Sequence, residues 1–249
     1  MLQEAHAHAA AAEMQHGENM RAVVDQPVSY ARLAGISLIA GAIVATLFNV
    51  LFPRGDDPTD AADMLTMMAE NQAIRQASFL GVTAGLWLLT VGLTGICWQL
   101  SKGPGQVLAR FGFYGLIVGA GLFTVSTGIG MAATGAAVDW AAAGSEMGGT
   151  EFAVASALNI ADDGVWAMSI IVFWAAVGLI GLGMERSGTF PRWLSVPAVV
   201  LGSATAFLVG VPIAYAGVST TMIIVFAILA QLTIFWAVAT GIWLIRTAR

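Results

Sequence analysis

Long apolar runs separated by short polar stretches dominate this chain, and six of the runs are long enough to cross a bilayer. A hydrocarbon core about 30 Å thick takes roughly 20 helical residues at 1.5 Å each. The runs predicted to span are Leu33–Phe52, Ala77–Trp98, Phe111–Met131, Gly164–Met184, Trp193–Ala214 and Thr220–Ile245. Tyr30, Trp98, Trp193, Tyr215 and Trp243 fall near their ends, where amphipathic rings favour the membrane interface. The pattern predicts an all-α polytopic membrane protein of six transmembrane helices. Residues 30–249 form the membrane domain, and residues 1–29 form a polar tail or amphipathic helix. Composition agrees. Hydrophobic residues make up 58% and charged residues 10%, whereas soluble domains run near 25% charged. The lipid bilayer is therefore the partner of most of the surface.

Charge adds orientation. Of the 10 Lys and Arg residues, all but Arg54 and Arg75 fall on one side of the predicted topology: Arg21, Arg32, Lys102, Arg110, Arg186, Arg192, Arg246 and Arg249. Cytoplasmic turns collect cations, so the sorting predicts a multi-pass protein of the cell (inner) membrane with both termini cytoplasmic. The other side carries Asp56, Asp57, Asp60, Asp63, Glu70, Asp139, Glu146 and Glu151, read as a solvated acidic surface. A long polar stretch precedes the first apolar run, which predicts a retained internal insertion signal rather than a cleaved signal peptide. Arg32-Leu33, Arg110-Phe111 and Arg192-Trp193 open the odd spans at near-equal intervals, and Lys102, Arg186 and Arg246 follow the even ones. This fits three successive helical hairpins, although cytoplasmic cations alone would give the same marks.

Small and turn-forming residues suggest how the helices meet. Gly81 with Gly85, and Gly115 with Gly119, make small-xxx-small pairs. Lipid tails are as apolar as leucine, so close backbone contact replaces hydrophobic association, and these pairs are expected to form seams within the chain. Pro212 predicts a kink or an early end in the fifth span, whose other proline is Pro197. Between the first two spans a short helix is expected at about residues 58–72, capped by Asp57 with Pro58 in its first turn. Its stripe Ala61, Met64, Leu65, Met68 predicts a helix lying on the outer interface, or a lid over a cavity.

Two groups of residues are candidates for chemistry. Asn159, Asp162 and Asp163 share one face if their helix begins near Phe152. Carboxylates held in hydrocarbon cost several kcal/mol and mark ion or solute paths, with Asn49, Thr46 and Gln231 as candidate facing partners. If the helix begins at Gly164 instead, Asp162 and Asp163 cap it at the interface. The second group is His6, His8, His16, Met14 and Met20 in the N-terminal tract. Imidazole and thioether suit copper, and imidazole suits nickel. The tract is also alanine-rich, which suits a plain amphipathic helix or tail. No histidine lies in any span, so bis-histidine haem within the bilayer is excluded. The lone Cys97 rules out an intrachain disulfide. There is no GxxxxGK[ST], GxSxG or HExxH pattern, no basic patch for nucleic acid, and nothing that points to an enzyme.

Three stretches carry a resemblance. They are Ala31-Arg32-Leu33-Ala34-Gly35, Asn49-Val50-Leu51-Phe52-Pro53-Arg54, and the turn Glu185-Arg186-Ser187-Gly188-Thr189-Phe190-Pro191-Arg192-Trp193. From about Tyr30 to Arg249 the chain resembles a bacterial family of multi-span membrane proteins classed only as a domain of unknown function. The resemblance implies six spans in a bacterial cell membrane and assigns no site residue. The residues themselves suggest a small transporter or permease for a cation, proton or small solute. The alternatives are an accessory subunit bound to other membrane proteins, and a copper- or nickel-handling protein that uses the N-terminal tract.

Overall fold

A computed structural model describes residues 30–55 and 57–248. Seven helices carry them: α1 Tyr30–Leu51, α2 Ala61–Glu70, α3 Gln72–Gln99, α4 Gln106–Ala142, α5 Thr150–Ser187, α6 Arg192–Ala216 and α7 Thr220–Thr247. All except α2 are long and apolar enough to cross a membrane. The six lie in chain order around a ring. Each packs on its neighbour, and α7 closes on α1, where Gly35 and Gly241 let the two backbones touch.

The glycine pairs form seams within the chain. Gly81 and Gly85 of α3 receive Phe48 and Ala45 of α1, and Gly115 and Gly119 of α4 lie against Ala176 and Phe173 of α5. Hydrogen bonds add a second kind of tie between α3 and α4. The Thr83 and Thr127 hydroxyls meet at 2.7 Å, and the Trp87 indole donates to Thr124 at 3.0 Å.

Two spans run longer than the sequence predicted. With 37 and 38 residues, α4 and α5 are each about 55 Å long and overshoot the hydrocarbon. The extra turns come from alanine-rich, weakly polar sequence that hydropathy does not count as span. Against this overhang packs α2, with Leu65, Met67 and Met68 buried beside Ala137, Trp140 and Ala155. Its apolar stripe is thus spent on protein rather than on lipid. Its cap is Asp60, whose carboxylate accepts the amides of Ala62 and Asp63. Asp57 instead accepts the Thr59 amide at 2.8 Å and the Thr59 hydroxyl at 2.6 Å, which holds its carboxyl below the ordinary range.

Pro212 does not end α6. The preceding turn, Ala206–Gly210, widens to a π-helical turn in which the Val211 amide reaches the Ala206 carbonyl. Widening makes room for a ring that cannot donate to the turn before it. At the opposite end, the Glu185–Trp193 turn is tied to three helices. Gly188 takes a left-handed φ of 64° to end α5. Arg192 Nε donates to Glu185 at 3.0 Å, Ser195 donates to the same carboxylate, Phe190 stacks on Trp243 of α7, and the Trp236 indole donates to the Leu194 carbonyl at 2.8 Å.

A Cβ at Gly119 would stand 2.7 Å from the Phe173 backbone, whereas nothing lies within 4 Å of Gly128 on the outer face of the same helix. Gly119→Leu is expected to lower stability by roughly 1–3 kcal/mol in a denaturant titration in mixed micelles, and Gly128→Leu by less than about 0.5 kcal/mol.

Candidate functional site

The ring encloses a cavity of about 330 Å³. On α3 its lining follows one stripe, Arg75, Phe79, Val82, Leu86, Leu89 and Leu93, and on α5 it runs from Asn159 to Val177. Either stripe covers 19 residues of helix, 18 rises, so the cavity is about 27 Å long. Leu38, Ala45, Thr46 and Asn49 of α1 and Ile223 to Ala237 of α7 complete the wall. Phe52, Pro53, Gly55, Pro58 and, from α2, Met64 roof the end beneath the overhang. Below Leu93, the close packing of Ile96, Leu100, Ile180, Met184 and Leu244 seals the other end.

Its charges gather at the roofed end. Since α5 begins at Thr150, Asp162 stands about 18 Å along the helix and does not cap it. The capping alternative therefore fails, because the Thr150–Ala161 segment is itself helical. Asp162 is 8% exposed. Ser126 Oγ donates to its Oδ1, and its Oδ2 lies beside Gly130, where a side chain would collide with it. Among the described residues nothing donates to Oδ2, which leaves that oxygen for whatever enters the cavity. Asp163 is half-buried on the same lining.

Arg75 belongs to this site although the sequence reading left it among loop cations. Its guanidinium carbon lies 4.8 Å from the centre of the Phe52 ring and 5.0 Å from that of Phe79. The two rings meet edge to face at 4.9 Å. Nε donates to the Thr134 hydroxyl at 3.1 Å, which passes its own proton to the Gly130 carbonyl at 2.8 Å. Ser126, Gly130 and Thr134 follow at i, i+4 and i+8, so a single face of α4 serves both Asp162 and Arg75. Aromatic faces and a hydroxyl replace part of the hydration that Arg75 gives up on burial. One signal was legible: Arg75 and Arg54 are the two cations that break the sidedness of charge.

All five candidate polar residues, Asn49, Asn159, Asp162, Asp163 and Gln231, line this one cavity. Asn49 accepts Arg54 at 3.2 Å, which places Arg54 at the exposed rim. Thr46 Oγ1 is buried and has no hydrogen-bond partner among the described residues. His6, His8, Met14, His16 and Met20 lie outside the described residues. Among the described residues no group of three or more His, Cys, Asp or Glu side chains gathers.

Arg75→Lys removes both the flat stack and the Nε donor, and Thr134→Val removes the acceptor. Each substitution is expected to cost roughly 1–2 kcal/mol. If the contact exists, the double variant loses less than the two single losses combined, by about 0.5 kcal/mol or more in a denaturation cycle. Comparison with protein-family models, with curated proteins and with solved structures gives no match to this chain.

Proposed function

We propose that this protein is a small transporter that carries a cation, a proton or a positively charged solute across a bacterial cell membrane. The observation that supports it is the cavity: five of the apolar helices, α1, α3, α4, α5 and α7, line a space about 330 Å³ in volume with two aspartates and an arginine toward one end. Burying charge costs free energy that a purely structural bundle has no need to spend, and intramembrane carboxylates are typical of ion and proton paths. The seal below Leu93 and the roof above Phe52 would be opened in turn to give alternating access. The cations of the turns at Lys102–Arg110 and Arg186–Arg192 support a topology with both termini in the cytoplasm. The resemblance carried by residues 31–35, 49–54 and 185–193 is what supports a bacterial membrane.

A second reading, a subunit of a larger membrane assembly, has one feature in its favour. Gly121, Gly128 and Gly135 recur at heptad spacing on α4, where a Cβ would meet nothing within 4 Å among the described residues, a surface suited to another helix.

Reconstitution into vesicles tests the first reading. Under an imposed potential the wild type is expected to move protons or a small cation, followed with an entrapped indicator. Asp162→Asn, which keeps shape and removes charge, is expected to lower the flux at least about tenfold. Equal flux in the variant contradicts the proposal.

A further inference from the structure

The contents of the cavity point to a narrower class of ligand, an inference that rests on the transporter reading above. The charged groups sit toward one end only, and Gln231 and Thr233 of α7 are polar residues on the wall further down. From Leu86 and Phe173 downward the rest of the wall is apolar, and Trp166, Trp174 and Phe226 turn ring edges and faces into the same space. A hydrated ion would leave most of that length unsatisfied, whereas a charge borne on an apolar body would match both parts.

The sign of the charge follows from the groups that face the cavity. Asp162 and Asp163 come from α5, and Arg75 from α3. Arg54 sits at the exposed rim, held by Asn49, where water screens it. Two carboxyl groups and one guanidinium therefore face the enclosed space, and Asp162 Oδ2 receives no hydrogen bond from the described residues. Arg75 is drawn away from the apolar part, up to Thr134, while Ser126 holds Asp162 a turn or two lower. A ligand whose apolar body fills the lower part of the cavity holds its charge nearer the carboxyls than the guanidinium, and aromatic faces below the carboxyls add to the attraction for a cation.

The route is also written in the packing. α1 and α7 touch at Gly35, Ile39, Gly241 and Ile245. Every buried residue of α7 lies at or after Thr233. In the other half of α7 the cavity reaches up to the exposed Ala227 and Gln231, opposite the exposed Asn49 of α1. Helix does not close on helix there, so the cavity faces the hydrocarbon sideways.

We infer that the cavity binds a lipophilic cation, a positive charge on an apolar body, which enters from the bilayer between α1 and α7 and places its charge at Asp162 and Asp163.

Tetraphenylphosphonium and tetraphenylborate share a shape and differ in sign, so they probe this directly. Protein in lipid nanodiscs is titrated with each by equilibrium dialysis, with empty nanodiscs subtracted. Saturable binding of the phosphonium is expected, at least tenfold weaker in Asp162→Asn, with no saturable binding of the borate. Asp163→Asn, on a half-buried residue, gives the same comparison if Asp162→Asn does not fold. Equal binding of the two probes, or phosphonium binding unchanged in both variants, overturns the inference. If the vesicles carry a small cation in an Asp162-dependent way yet no phosphonium binds, this inference falls and the transporter reading stands. If neither flux nor binding appears, both fall.

Discussion

The buried carboxylate of Asp162 is the group around which the rest of the bundle is arranged. Hydrocarbon offers a charge nothing, so the protein must supply the surroundings that water would have given. It does so with one face of α4. Ser126 donates to the carboxylate, Gly130 leaves room for it, and Thr134 anchors the Arg75 guanidinium on the same line. The cost is met by packing elsewhere. The α4–α5 seam, built on Gly115 and Gly119, runs beneath the site and brings Phe173 against α4. Without that close approach Asp162 would stand too far from Ser126 to be held.

The overhang has the same logic. Charges near the end of the apolar slab would be exposed to bulk water if α4 and α5 stopped at the interface. They continue, and α2 fills the angle between them with Leu65, Met67 and Met68. Phe52 and Phe79 then stack on Arg75 from the side that α2 and the residue 52–58 segment roof over. A site at the edge of the membrane is thereby enclosed by protein on its aqueous side and by helices on its lipid side. Among the described residues, the wall lacks close helix contact between the Asn49 half of α1 and the Ala227–Gln231 half of α7.

Much of this was legible in the sequence, and the limits have physical causes. Six spans follow from apolar length, because in hydrocarbon only a helix satisfies its own backbone. The glycine seams follow from small residues at i and i+4. Asp162 and Asp163 were visible as acids near an apolar run. Whether they capped a helix or lay within one was undecided, because Thr150–Ala161 is neutral enough to be read as loop or helix. Arg75 was hidden because its neutralising surroundings come from Phe52, Phe79 and Thr134, the last far away in sequence. Asp57 was taken for the α2 cap because Pro58 follows it, yet Thr59 captures its carboxylate and Asp60 does the capping. Pro212 was read as a kink or an early end; the helix instead runs on to Ala216 through one widened turn, which has no sequence signature.

The polar stripe of α5 faces the cavity, and its apolar stripe faces lipid. A nitroxide scan from Ala157 to Ile170 in bilayers, read by collisions with dissolved oxygen, tests it most directly. Ile160 is 70% exposed and Met168 47%, against 8% for Asp162 and 2% for Ser169. Oxygen accessibility should therefore peak at Ile160, Gly164 and Met168 with helical period and fall to minima at Asp162 and Ser169. A maximum at Asp162 or Asp163, or no periodicity through this segment, would contradict the account.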